Sequence, residues 1–382
     1  MSIHIHTGTP PLIAGAVARI ERRLPHPGRI LVRVGQRVEP GDVVARCLIP
    51  GTPQIVNISR ELMIAPAQLS RAMILEVGNK VTKGDALARI NRLGGRSYTA
   101  PVSGEVVGID SETGYVTIMP DPESYELLAN ARGIVMEEIP HEGVLIETPA
   151  AQVYGAFGFG KERSGVLHLL VTDPSEPILP ERIDARSAYS IIIGGSSITA
   201  AALRRAAQHN VCGIIVGGID EIELRAFLGW EQRTMWGAGV RDWHSSAATP
   251  AYDYGLTLIV TEGFGVHAMS TPLFELLAQH DRQEAFIEGT TRLRQHRQRP
   301  RVVIPLSSRT PGLQLDAPRP VMRPGAVVRL LDAQHMGEIA KVRSVLGRLH
   351  RVSLKNGGPS VEIQTELESS LILPQTAVEI LS

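Results

Sequence analysis

The sequence predicts a multidomain chain that joins an α/β domain to all-β modules, and three observations carry that prediction. A glycine-punctuated hairpin is written twice near the N-terminus, the middle alternates apolar runs with glycine loops and helical runs, and short β-rich runs follow a proline-rich linker near the end. At 382 residues the chain exceeds one ordinary core, so two to four domains are expected. Hydrophobic residues make up 43% and charged residues 20%, with a formal net charge of zero, which argues against a nucleic-acid binder that uses its whole surface. Two cysteines, Cys47 and Cys212, lie far apart in apolar runs and read as small buried hydrophobes in a reducing compartment. With no signal peptide evident at the N-terminus and no long apolar window, a cytoplasmic protein without membrane spans is expected.

The first element is the repeat. VGQRVEPGDVVAR (34–46) returns as VGNKVTKGDALAR (77–89), with seven of thirteen aligned positions identical. Gly41-Asp42 and Gly84-Asp85 suit turns with φ > 0, and Val38 and Val81 would plug the space beneath them. APVSGEVVGI (100–109) reads as the opening strand of another such unit. Ile58–Leu62 reads as a short helix with Ser59 as its N-cap.

These residues resemble the barrel-sandwich hybrid superfamily, which includes biotinyl and lipoyl carrier domains, over roughly residues 28–120. In carriers of that family a lysine at a hairpin tip receives the cofactor. Here the segment between the copies contains no lysine, and Lys80 and Lys83 belong to the turn unit itself. The resemblance therefore implies an unmodified β module over residues 1–125, with no cofactor.

The middle, 150–310, reads as an α/β domain with a parallel sheet. SIII (190–193) runs into Gly194, Gly195, Ser196 and Ser197, with Thr199 opening a helical run. GIIV (213–216) runs into Gly217, Gly218 and Asp220. LTLIV (256–260) runs into Glu262, Gly263 and Gly265. Uninterrupted apolar strands followed by helices are what a parallel sheet buried on both faces requires. Such sheets bind ligands at the carboxyl ends of their strands, and glycines with free N–H groups at helix starts favour anions. These eleven residues are the candidate ligand-binding set, for a small anionic metabolite or nucleotide. Tight strand-to-helix turns would need the same glycines, and Asp220 is also a ready N-cap. No phosphate-loop or dinucleotide motif is present, and YGAFGFGKERSG (154–165) reads as a lid or a bulged strand pair. No catalytic set emerges. Asp242, His244, Ser245 and Ser246 are neighbours in one loop, and His4 with His6 lack a third metal ligand.

Residues 290–301 hold Arg292, Arg294, Arg297, Arg299 and Arg301, inside a stretch (282–309) of seven arginines and two glutamates. With Lys341, they are the candidate nucleic-acid contacts; a solvated surface helix is the plainer alternative. After the linker, strands near 325–330 and 337–342 around a glycine resemble the KOW motif of small SH3-like barrels over about 320–382. HRVSLK, SVEIQTE and ILPQTAVEIL would supply the remaining strands. That span has seven basic and six acidic residues and no Phe, Tyr or Trp on which to stack a base, so protein docking fits it as well as RNA does.

The expectation is a non-enzymatic binding or scaffold protein with protein partners, open to oligomerisation. The alternatives are an enzyme or accessory protein holding an anionic ligand at the glycine edge, and an RNA-binding factor.

Overall fold

The computed structural model describes residues 11–90, 95–229, 253–291, 299–307, 321–332, 335–346, 359–365 and 370–381. The first strand, β1 (Leu12–Arg23), is followed by β2 (Arg29–Ile30), β3 (Arg37–Val38), β4 (Val43–Ile49), β5 (Gln54–Asn57) and the short helices α1 (Ile58–Leu62) and α2 (Leu69–Ala72). Next come β6 (Lys80–Val81), β7 (Ala86–Arg89), β8 (Ser97–Thr99), β9 (Gly104–Ile109), β10 (Tyr115–Pro120), β11 (Glu123–Leu128), β12 (Gly133–Ile139) and β13 (Gly143–Tyr154).

The repeat is larger than its sequence signature, because each hairpin is closed by an equivalent returning strand. Val38 stands opposite Gly133 where β3 pairs β12, and Val81 opposite Gly104 where β6 pairs β9. Gly35 donates to Val135 O at 2.7 Å while Gln36 O accepts from Val135 N; Gly78 donates to Val106 O at 2.8 Å while Asn79 O accepts from Val106 N. Asp42 accepts from Glu39 N and Asp85 from Thr82 N, both at 2.8 Å. The returning segments, ANARGIV (129–135) and APVSGEV (100–106), share only Ala-x3-Gly-x-Val. One unit is therefore nested inside the other. The inner unit has its own core of Leu69, Val81, Leu87, Val106 and Ile118. In the outer unit Val38, Val44, Leu127, Val135 and Ile146 join one core with Phe286 and Val303, which lie more than 130 residues further on. The boundary expected near 125 falls inside β11, and β1 leaves the repeat to pair along β13.

Two local expectations are corrected. The cap of α1 is Asn57, whose carboxamide oxygen accepts from Arg60 N, not Ser59. Positive φ occurs at the first glycine of each copy (Gly35 85°, Gly78 90°) and at Gly84 (96°), whereas Gly41 is not left-handed. Neither Gly41 nor Gly84 has an atom within 4 Å of an added Cβ, so backbone strain alone separates them. Gly84→Ala should cost about 1–2 kcal/mol, and Gly41→Ala should be neutral or stabilise by up to about 1 kcal/mol. Paired thermal melts of the two variants check this; equal effects would refute the asymmetry.

The central part comprises β14 (Phe157–Phe159), β15 (Arg163–Leu169), β16 (Ser190–Ile193), α3 (Ala200–Gln208), β17 (Gly213–Ile219), α4 (Glu221–Leu228), β18 (Thr257–Phe264), α5 (Thr271–Gln279), β19 (Glu284–Glu288) and β20 (Arg301–Pro305). They build an eleven-stranded sheet in the order β14-β18-β17-β16-β15-β19-β20-β13-β12-β3, with β1 on the other edge of β13. β15 to β18 are parallel and the flanking pairs antiparallel. Alternate residues of β16 face opposite layers, as strand geometry demands. Ile192 packs with Ala202, Leu203 and Leu224 of α3 and α4, while Ile191 and Ile193 pack with Leu273 and Leu277 of α5. The glycine-rich run 154–165 is no lid. It holds β14, where Phe157 stacks on Phe264 at 4.5 Å and a Cβ on Gly158 would lie 2.4 Å from Leu258 O.

The last part comprises β21 (Val327–Leu330), β22 (Ile339–Leu346), β23 (Ser360–Thr365), β24 (Ser370–Pro374) and β25 (Val378–Ile380). They form an antiparallel sheet in the order β24-β23-β22-β21-β25 over a core of Val328, Leu330, Val342, Val361 and Ile363. HRVSLK lies outside the described residues. Leu331 and Met336 leave this module and pack into the α3/α4 layer of the large sheet. Among the described residues no helix is long and apolar enough to cross a membrane.

Candidate functional site

The carboxyl ends of β16, β17 and β18 bring most of the candidate ligand-binding residues together. What they meet there is one another. Gly217 N donates to Gly195 O at 2.8 Å, Gly218 N to Ser196 O at 2.9 Å, and Gly265 N to Ile219 O at 3.0 Å. The segment after β18 folds back over this edge, with His267 N donating to Ser196 O and Met269 N to Pro174 O. An added Cβ would lie 2.4 Å from Glu176 O at Gly195, 2.0 Å from His267 O at Gly217 and 2.2 Å from Gly265 O at Gly218. At Gly194 it would meet the Ile178 side chain at 2.3 Å. These glycines admit backbone from neighbouring loops, and Gly194, Gly195, Ser196, Gly217 and Gly218 are all buried.

The starts of α3 and α5 are likewise occupied from within. Thr199 caps α3 by accepting from Ala202 N, and the Glu223 carboxylate of α4 accepts from Ala200 N at 2.6 Å. A carboxylate thus sits where an anionic ligand would bind the helix. Asp220 is the exposed N-cap residue of α4 and makes no side-chain capping bond. Ser197 is half-buried. Glu262 accepts from Ser270 N at 2.9 Å at the start of α5 and from the Thr261 hydroxyl.

The other oxygen of Glu262 receives Arg329 of β21, so this strand-end carboxylate reaches across to the C-terminal module. Arg329 also donates to Thr261 O at 2.9 Å and to Glu379 of β25 at 3.0 Å. Glu379 is fully buried, and its second oxygen pairs with Arg299. Arg299 in turn donates to Gly155 O at 3.0 Å and lies 5.5 Å over the Tyr154 ring. Two arginines and two glutamates, all buried or nearly so, therefore bolt the C-terminal module to the large sheet. Gly263 (φ 150°) and Gly337 (φ 93°) let the two backbones meet, since a Cβ on Gly263 would lie 2.8 Å from the Gly337 Cα.

Beside this seam a cleft of about 550 Å³ opens between the segment after β18 and the β21–β22 turn, lined by Glu262, Val266, His267, Arg329, Glu338 and Ile339. His267 Nε2 lies 2.7 Å from Phe264 O. Gly265 (φ 103°) makes room for that ring, which approaches within 3.2 Å of where its Cβ would be. Of the cleft-lining groups only Glu262 stood out in the sequence, and it did so by ending an apolar strand.

The candidate nucleic-acid residues separate. Arg292, Arg294 and Arg297 lie outside the described residues. Arg299 and Arg301 are buried and paired, which corrects the expectation that they track a phosphate backbone: a guanidinium saturated by internal carboxylates has nothing to offer one. Arg301 pairs with Glu288 at 3.1 Å and donates to Arg19 O at 3.0 Å. Burial works against the Arg301 charge, but facing Glu288 and Tyr154 outweigh it and hold its pKa above the ordinary arginine value. Lys341 is exposed on β22. Among the described residues no group of three or more His, Cys, Asp or Glu side chains is placed to hold a metal ion. His4 and His6, and the loop carrying Asp242, His244, Ser245 and Ser246, lie outside the described residues. No protein-family model matches the chain, and no curated protein matches it.

Proposed function

We propose that the protein is a non-enzymatic scaffold that docks protein partners through its β modules: nested units of barrel-sandwich hybrid type at one end and an SH3-like barrel at the other. The observation that supports this reading is the state of the sheet's carboxyl edge. There the N–H groups of Gly217, Gly218 and Gly265 and the starts of α3 and α5, which could hold an anionic substrate, are engaged by the protein's own loops, Glu223 and Glu262, and Glu262 is itself taken up by Arg329. The second support is the buried four-charge seam, which fixes one docking module on the central sheet instead of leaving it on a tether. Reading RNA is less well supported, because Arg299 and Arg301 are spent on internal partners and the C-terminal module has no aromatic residue for stacking.

Native mass spectrometry of protein purified gently from its own host, together with its 260/280 nm absorbance ratio, tests the reading. The expected result is a chain of unmodified mass, as a defined multimer or with protein partners, and a ratio typical of protein. A small adduct lost on denaturation would favour the anionic-ligand enzyme, and a ratio raised by bound nucleic acid would favour the RNA factor. A covalent mass increment would reinstate a carrier role.

A further inference from the structure

The cleft at the seam has a chemistry of its own. It lies just outside the carboxyl end of β18 and at a joint between two modules, two of the places where small ligands preferentially bind. Its volume of about 550 Å³ falls within the range of small-ligand sites, roughly 300–1,000 Å³. Among the described residues of its wall the only guanidinium is Arg329, which is matched by Glu262 and Glu379, and Glu379 is matched again by Arg299. Those four charges sum to zero, so among the described residues lining the cleft no positive charge is left to hold an anion.

Two of the acceptors in the wall matter for the opposite sign of charge. Glu338 is exposed on the β21–β22 turn and makes no ion pair among the described residues. His267 contributes the other. A carbonyl oxygen can only accept, so the 2.7 Å contact with Phe264 O places the ring proton on Nε2 and leaves Nδ1 of the neutral imidazole as an acceptor. Val266 and Ile339 supply exposed apolar surface in the same cleft.

We infer that this cleft binds a cationic nitrogen, an alkylammonium or guanidinium group on a short apolar stem, held by Glu338 and His267 against Val266 and Ile339. The inference reverses the sign of the ligand expected at this edge and goes beyond the scaffold reading. The same chemistry is carried by a free amine metabolite and by an arginine or lysine side chain of a docked partner.

Calorimetric titration of the full chain with agmatine, a capped Gly-Arg-Gly peptide and inorganic phosphate tests it. At low salt, agmatine or the peptide binds and phosphate does not. Glu338→Gln weakens that binding about tenfold, the loss of one charge-assisted hydrogen bond, and Glu338→Lys abolishes it. Both substitutions are on an exposed turn, and unchanged melting temperatures verify that the variants are folded. Agmatine binding as tightly as the peptide identifies a free amine as the source, and tighter peptide binding identifies a partner's side chain. The inference is overturned if neither cation binds, if phosphate binds better, or if Glu338→Gln leaves the affinity unchanged. The scaffold reading stands or falls separately, on whether the host-purified protein carries partners.

Discussion

Glu379→Ala should cost about 3–5 kcal/mol, the penalty for breaking a buried ion pair by removing one partner. Glu379 has no exposed surface, and its two oxygens face Arg299 and Arg329, which are themselves buried. Truncation leaves two buried guanidiniums in the seam with one carboxylate of the cluster, Glu262, which pairs with Arg329. Urea unfolding should show the loss as a lowered midpoint. It should also split the transition, because the C-terminal sheet has a small core of its own and is docked mainly through the seam, Leu331 and Met336. Limited proteolysis should then cut at the joint before the central sheet opens. A loss under about 1 kcal/mol would mean that apolar packing, not the charge cluster, holds the module.

The same seam makes a second, opposite-signed comparison. Replacing Arg299, Arg329, Glu379 and Glu262 together by Met, Met, Leu and Gln should recover more than half of the single-mutant loss, since no uncompensated charge remains. If the quadruple variant is as unstable as Glu379→Ala, the cluster's hydrogen bonds to Thr261 O and Gly155 O matter more than its charge balance.

The parts of the fold that sequence makes visible are those set by local pattern. SIII, GIIV and LTLIV read as strands buried on both faces because nothing charged interrupts them, and they are the parallel centre of the large sheet. The hairpin repeat is visible because its turns need glycine and aspartate at fixed offsets. Its closing strands are not legible as such, because ANARGIV and APVSGEV share only Ala-x3-Gly-x-Val: 100–109 reads from sequence as the opening strand of another unit, whereas it closes the second hairpin. Pairing of β1 with β13 is equally hidden, as register across 130 residues leaves no local trace. Glu379 misleads by its pattern: between buried Val378 and Ile380 it falls on the face that alternation assigns to water, and that face is the seam. Arg299 and Arg301 mislead by their company, since a run of arginines reads as solvated whether or not two of them turn inward. The glycine loops mislead for a third reason. A glycine that admits a ligand and one that admits a neighbouring carbonyl leave the same letter in the sequence.

Gly217→Ala distinguishes those two uses, and its expected loss is about 3 kcal/mol or more, at the upper end for overpacking. The new Cβ would lie 2.0 Å from His267 O, 2.8 Å from Met269 N and 3.0 Å from Gly195 O. All three are backbone atoms, so no rotamer change relieves the clash. The segment 265–270 would have to lift, drawing His267 N from Ser196 O and Ser270 N from the Glu262 carboxylate. Since Glu262 also holds Arg329, the disturbance passes to the seam and should lower the stability of the C-terminal module as well. Thermal and urea unfolding of Gly217→Ala beside Gly41→Ala, whose added Cβ meets nothing within 4 Å, give the comparison with chain entropy controlled. Should Gly217→Ala instead fold within 1 kcal/mol of the parent, the edge must open readily around Gly217, its N–H groups become available, and an anionic ligand regains a place to bind.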